Sequence, residues 1–210
     1  MNRTQRRPAG GLAVAAIRPV RPADLPALSD FFAGLSMQTR YLRFFSPVTP
    51  GPALLHLLAG GAGTTDAVVA TRDGVIIGHA MATDRTGPSG VRMTDFGMVV
   101  ADAWQGQGVG SALLRALIAG AQVRGVTWVV MDVLPGNRQV LALIKGYWPT
   151  ARASHAPDYD TFCVQLPDWQ QVRPARTGAR RPVTTAIAGR VLTGLDPPNG
   201  GCFADSRFLR

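Results

Sequence analysis

The sequence contains no glutamate and a single lysine, Lys145, so any carboxylate chemistry falls to aspartate. We read this skew as a coding preference for Arg, Ala and Gly rather than as physics. Two cysteines, Cys163 and Cys202, are too few and too far apart for a disulfide scaffold or a zinc knuckle. Three scattered histidines, His56, His79 and His155, show no metal-ligand spacing, so no metal is expected. No apolar run approaches the roughly 18 residues of a membrane span, so a cytoplasmic protein without a membrane partner is expected. What the chain does have is 210 residues, 46% of them hydrophobic, with 24 Gly and 16 Pro. That is apolar material for one packed core of about 100 to 200 residues.

Charge is unevenly placed. Residues 1–16 carry three arginines and no acid, and residues 167–210 carry seven arginines against three aspartates. The stretch between them is nearly balanced, with eleven arginines and Lys145 against ten aspartates. A nucleic-acid surface needs basic residues along one folded face, interleaved with aromatics. Here the excess sits on the ends, so no nucleic-acid partner is expected. The basic opening followed by the weakly apolar Gly10 to Ile17 has the outline of a secretory signal, but without a convincing cleavage site. The alternative is a frayed basic N-terminus that leads into a first strand.

Along the chain, Ile17-Arg18-Pro19-Val20-Arg21-Pro22 reads as a strand leaving for a helix, and Pro22-Ala23-Asp24 as that helix's capped start. Leu25, Leu28, Phe31, Phe32 and Leu35 then recur at helical spacing. Ser36 reads as the cap of a second short helix, and Gly51 to Leu58 as a third. AVVATR and VIIGHAMAT form a hairpin around Asp73-Gly74, the turn that antiparallel strands favour. A strand over 91–100, a helix from about Gly108 to Arg124, a buried strand TWVVMDV, a short helix from Asn137 to Lys145 and a last strand TFCVQL follow. Beyond Pro167 periodicity is lost, and only VTTAIAGRVL has the composition to order. The expected organisation is a flexible N-terminus over 1–16, one α/β domain over 17–166 and a mostly disordered tail over 167–210.

The sharpest feature is Gln105-Gly106-Gln107-Gly108-Val109-Gly110-Ser111, set between a strand and an amphipathic helix. Glycines allow close backbone approach, and a helix start offers unpaired N–H groups and partial positive charge, a place that binds phosphate. A tight connection holding no ligand is the plain alternative. A Walker A loop fails for want of its lysine. A dinucleotide fingerprint, with Asp132 as the ribose acid, fails in spacing, because Gly110 stands one position early and five residues separate the loop from its strand.

Gln105-x-x-Gly108-x-Gly110 resembles the Q/R-x-x-G-x-G/A motif of the GNAT superfamily of N-acetyltransferases. The resemblance runs over roughly residues 17–166, and Gly34 to Phe45 is similar to the actinobacterial protein-lysine acetyltransferases of that superfamily. It implies an α/β (α+β) GNAT fold, a mixed sheet of six or seven strands flanked by helices and splayed between the strands at 91–100 and 127–133. It implies acetyl-CoA as co-substrate, its pantetheine pairing with backbone near Met98, Val99 and Val100. The pyrophosphate would lie on the loop formed by Gln105, Gly106, Gln107, Gly108, Val109, Gly110 and Ser111. Gly97 reads either as a bulge that frees these strand groups or as a glycine that merely weakens the strand. Asn137 matches the family's CoA-contacting asparagine, and a helix cap explains it equally well.

The implied activity is acetyl transfer to a primary amine, either a protein lysine or a small molecule. Assembly as a homodimer stays open. Where lysine-acetylating relatives carry a glutamate base, this chain has Asp95, one methylene shorter. It reads as a general base or as a salt-bridge partner of Arg92. A backbone N–H at Met98 or Val99 would polarise the thioester carbonyl. Tyr147, just past the shortened helix after Asn137, reads as the acid that protonates the leaving thiolate or as a boundary aromatic, and solvent can serve instead. His79 and His56 read as packed or boundary residues, and Cys163 as a buried small hydrophobe. Trp104 covers the cofactor or anchors the loop. Arg40, Tyr41 and Arg43 read as acceptor contacts, or as solvated charges and a packed ring. The alternative of another class is a non-catalytic acyl-CoA-binding regulatory module.

Overall fold

The computed structural model describes residues 15–61, 63, 65–87, 90–166 and 186–187. Strand β1 (Ala16–Pro19) leads through a single helical turn into α1 (Leu25–Ala33), followed by α2 (Met37–Phe44) and α3 (Pro52–Leu58). Strands β2 (Thr65–Arg72), β3 (Val75–Thr86) and β4 (Arg92–Val100) precede α4 (Val109–Val123). Next come β5 (Trp128–Val133), α5 (Arg138–Tyr147), β6 (Ala153–His155) and β7 (Asp160–Gln165), and β8 (Ala186–Ile187) lies far along the chain.

Local chemistry explains the starts of these elements. Arg18 donates two hydrogen bonds to Asp24, Nη1 to Oδ2 at 2.6 Å and Nη2 to Oδ1 at 2.8 Å, and the Arg21 amide donates to the same carboxylate at 2.7 Å. The bonds from Arg18 are the main reason that the Asp24 carboxyl is held down to about 2. The expected caps of the helices after Ser36 and Asn137 are present, with Ser36 Oγ accepting from Thr39 N–H and Asn137 Oδ1 from Val140 N–H. The hairpin turns on Asp73 (φ 49°) and Gly74 (φ 77°), both left-handed.

Strand order is β1-β2-β3-β4-β5-β7-β6, seven strands of mixed sense, with β8 added against β4. Among the described residues β4–β5 is the parallel pair, and it is short: Met93, Thr94 and Asp95 face Trp128, Val129 and Val130. Beyond Asp95 the two halves part, because β4 stays on β3 along its whole length while β5 stays on β7 through all six of its residues. The expected splay is therefore present, but Gly97 marks no bulge. The β3–β4 register runs unbroken from Thr86/Arg92 to Gly78/Val100, and the irregularity lies between Ala70 and Thr71 on β2. What frees the edge of β4 is the departure of β5.

Two cores cover the two faces of the sheet. On one, Val109, Leu113, Leu114, Leu117 and Ile118 of α4, with Val140 and Ile144 of α5, pack on Val68, Ala80, Phe96 and Met98. Gly78 makes this possible, because a Cβ there would stand 3.0 Å from Leu113 Cδ1 and 3.3 Å from Val109 Cγ1, so the head of α4 can sit close on the sheet. Arg124, just past the far end of α4, bridges Asp84 and Asp66 of β3 and β2, both at 2.7 Å. On the other face Leu28, Phe31, Phe32, Leu55 and Leu58 pack on Val69, Ile76, Met81 and Val99.

His79 of β3 is fully buried in this second core. Its Nε2 lies 2.7 Å from the Leu58 carbonyl, which can only accept, so Nε2 carries the proton and Nδ1 presents a lone pair. Burial first, and the charge of Arg43 second, push its pKa down to about 3, and the bond to Leu58 offsets this only in part. Between pH 6.5 and about 3 the unfolded chain therefore binds a proton that the folded chain refuses, and stability falls as pH falls through that window. We expect this group to contribute a slope of up to about 1.4 kcal/mol per pH unit. A His79→Gln variant keeps a donor for Leu58 and should lose that component. Urea melts of both proteins at pH 7 and pH 5 check it, and equal slopes would contradict the assignment.

Of the sequence expectations beyond this domain, the N-terminus over 1–14 and most of the tail lie outside the described residues. Within VTTAIAGRVL, β8 forms.

Candidate active site

The loop after β4 is built from both ends. A single helical turn, Asp102–Trp104, follows β4, and Asp102 accepts from the Ser36 amide (3.0 Å), Ser36 Oγ (2.8 Å) and Thr39 Oγ1 (2.7 Å). Burial would raise the Asp102 pKa, but these donors together hold it below the ordinary carboxylate value. Asp102 thus clamps the start of α2 onto the loop, a role that sequence reading missed. The signal available was a cap serine with no acidic partner on its own helix.

Gln105, expected to face the cofactor, turns its buried side chain inward and donates to the Val100 carbonyl at 2.9 Å. It pins the loop to the end of β4. Trp104 packs partly buried against the core, with Arg72 over its ring at 5.1 Å, so the anchoring reading holds. Gly106 (φ 71°) and Gly108 (φ 83°) are both left-handed, while Gly106, Gln107 and Gly108 are exposed. A Cβ at Gly108 would meet nothing within 4 Å, so glycine is required there by the backbone turn and leaves open space in front of it. Helix α4 then starts, and its first internal bond runs from Ala112 N–H to the Gly108 carbonyl. The amides of Val109, Gly110 and Ser111 therefore have no acceptor within their helix. Loop and helix start thus present exposed backbone donors of the kind that bind anions.

Met98, Val99 and Val100, expected to take an extended ligand, form the part of β4 that β5 has left, and all three are buried. Backbone pairing there is real: β8 lies antiparallel on it, Ile187 opposite Met98 and Ala186 opposite Val99. Asn137 is buried at the corner between β5 and α5, where it caps α5.

Asp95 sits where the two half-sheets part. Its Oδ2 accepts from Arg85 Nε at 2.8 Å. The Arg92 pairing read from sequence is overturned, because three residues along a strand put Arg92 and Asp95 on opposite faces, whereas the β3 register sets Arg85 diagonal to Asp95 on the same face. Tyr147 is only 3% exposed and lies between α4 and α5, its hydroxyl donating to the Ser111 carbonyl (3.4 Å) and accepting from Arg115 (3.3 Å). It packs in the α4 core, whereas Asp95 shares the opposite face of β4 with Val99, so the structure does not bring these two together.

Of the three candidate acceptor contacts on α2, Arg43 is fully buried, with its pKa lowered to about 10 by burial, and is no solvated charge. Arg40 holds the Leu35 and Pro47 carbonyls. Tyr41, 47% exposed, is the one left open to an incoming molecule. His56 is exposed, and Cys163 is buried and not a free thiol. Among the described residues no three His, Cys or Asp side chains gather as a metal site would need, and no helix is long and apolar enough to cross a membrane.

Comparison with known proteins agrees with this geometry. Residues 36–147 match the model of the acetyltransferase (GNAT) family. An Acetyltransferase Pat of Mycolicibacterium smegmatis is 31% identical over 137 residues, 63% of this chain and 41% of that protein. The chain thus spans under half the length of the curated relative it matches. The solved GNAT domain of S. lividans PAT superposes with a TM-score of 0.65 at 25% identity, over 72% of this chain and 90% of that one. A phosphinothricin acetyltransferase from Sinorhizobium meliloti, solved in complex with acetyl-CoA, shares the fold at 17% identity and a TM-score of 0.55, over 77% of this chain and 94% of that one. The sheet, the glycine turn and the matched segment agree: the chain belongs to the acetyltransferase (GNAT) family.

Proposed function

We propose that this chain transfers an acetyl group from acetyl-CoA to a primary amine, with a protein lysine as the first acceptor class and a small-molecule amine as the second. The observation that carries the reading is the conjunction of a donor-rich glycine turn with a strand edge vacated by β5, one leading into the other through Gln105. Asp95 stands at the near end of the same edge. The lysine preference rests on the similarity of Gly34 to Phe45 to the protein-lysine enzymes.

The roles follow from position. Amides of Gln107 to Ser111 hold the pyrophosphate, and backbone of Met98 to Val100 holds the pantetheine in extended form. Asn137 sets the corner that bounds the gap. The amine nitrogen attacks the thioester carbonyl carbon, and an amide N–H of Met98 or Val99 stabilises the oxyanion that forms. Asp95, directly or through a water, takes the proton that the nitrogen must lose, while Arg85 orients the carboxylate. As the C–S bond breaks, the thiolate takes its proton from solvent, an easy step for a thiol whose pKa is near 8.5. Tyr147 shapes the helix pair rather than delivering that proton.

Calorimetric titration with acetyl-CoA tests the reading. Saturable binding is expected, and Gly108→Trp should abolish it while leaving the thermal melt cooperative, because the indole would fill the open space before the turn. A folded wild-type protein that takes up no acetyl-CoA would refute the proposal.

A further inference from the structure

The edge of β4 that the proposed function assigns to pantetheine already carries a strand. β8 pairs antiparallel with Met98 and Val99 and lies beside both α2 and β5, in the wedge opened where β4 and β5 part. Antiparallel sense means that β8 runs from the loop end of β4 toward Asp95. It comes from a segment more than 20 residues past β7, separated from the domain by an arginine-rich stretch. An extended ligand pairing with Met98 to Val100 would use the same backbone groups, and one row of N–H and C=O groups cannot serve two partners at once.

We infer that Ala186–Ile187 is an intramolecular occupant of the acyl-CoA track, a piece of the chain's own tail that must leave β4 before acetyl-CoA can bind. The inference rests on the proposed cofactor. Three features of the molecule carry it. The first is the coincidence of register, since β8 covers Met98 and Val99 and not some other edge of the sheet. The second is length. Two residues form a marginal strand, and a cover this short opens readily, as a displaceable occupant must. The third is need. A free edge in the middle of a sheet is an aggregation hazard, and covering it with the tail protects the apo protein until the co-substrate arrives.

Occupancy lowers apparent affinity by the fraction of molecules whose track is open, without altering the site itself. The test uses the full chain with Ala186→Pro and Ile187→Pro together, which removes the Ile187 donor to β4, fixes the backbone of both residues and leaves every proposed cofactor and catalytic residue intact. Acetyl-CoA is titrated into the wild type and this variant. Amide exchange at Met98 and Ile187, whose N–H groups face each other across the β4–β8 pair, is followed by NMR in the wild type, free and saturated. The expected results are binding roughly three- to tenfold tighter in the variant, and loss of protection at Ile187 on saturation while Met98 stays protected. Equal affinities, or an Ile187 amide that keeps its protection at saturation, would overturn the inference and leave the cofactor reading standing. Acetyl-CoA binding to neither protein would overturn the cofactor reading, and the inference with it.

Discussion

Asp95→Asn is expected to lower the rate of transfer to an amine by about 10² to 10⁴ at neutral pH, the range that a positioned general base supplies, with acetyl-CoA affinity unchanged. The substitution is isosteric and keeps the bond to Arg85 at the position where β4 and β5 part, so the strand should not move. The loss is chemical. A lysine amine with a pKa near 10.4 is about one part in a thousand neutral at pH 7.4, and a base that accepts its proton is what makes it a nucleophile. Raising the pH should therefore recover part of the lost rate, and the fall should lie in kcat rather than in acetyl-CoA binding. Asp95→Glu, which restores the side chain of the lysine-acetylating relatives, should remain active. Steady-state kinetics on lysine peptides and small amines measure all three proteins. Full transfer by the asparagine variant to every accepted amine would remove Asp95 from the mechanism.

The parts of this architecture legible in the sequence are those set by local rules. Helical spacing from Leu25 to Leu35, the Asp73-Gly74 turn and the glycine-to-helix junction at Gly108 each depend on a few adjacent residues, and each is present. What the sequence hid depends on partners distant in the chain. The pairing of Asp95 with Arg85 follows from the β3–β4 register, which no spacing within β4 reveals. Arg43 reads as a surface charge on a polar helix, yet that face of α2 is buried against β4. Gln105 belongs to a motif that invites a cofactor contact, but its amide donates instead to the carbonyl that ends the preceding strand, at Val100. β6 is three residues long and carries no period, and β8 takes only two residues of the one tail stretch with the composition to order. A strand that short is defined by the edge it joins rather than by its own residues.

Phe32→Ala should be the most damaging single truncation in the core beneath the proposed acceptor face, costing about 3 to 5 kcal/mol. Phe32 is fully buried and joins three elements, with ring centroids 5.1 Å from Phe31 of α1, 5.7 Å from Phe44 of α2 and 5.4 Å from His79 of β3. Such a loss is a large share of the total stability of a domain, and chemical denaturation would register it as a shift in midpoint. The cavity would also open beside the one buried imidazole in this core. Water reaching His79 lowers the desolvation that now dominates its pKa, so the folded value rises back toward 6.5. The window in which only the unfolded chain binds the proton then narrows, and the loss of stability between pH 7 and pH 5 should be smaller in the variant than in the wild type. Phe32→Ala and His79→Gln should consequently be non-additive at pH 5, as side chains in contact are. Urea melts of the wild type, both single variants and the double variant at the two pH values provide the cycle. A cost under about 1 kcal/mol, or strict additivity at pH 5, would mean that Phe32 does not shield His79, and that other neighbours supply the burial that lowers the pKa of the imidazole.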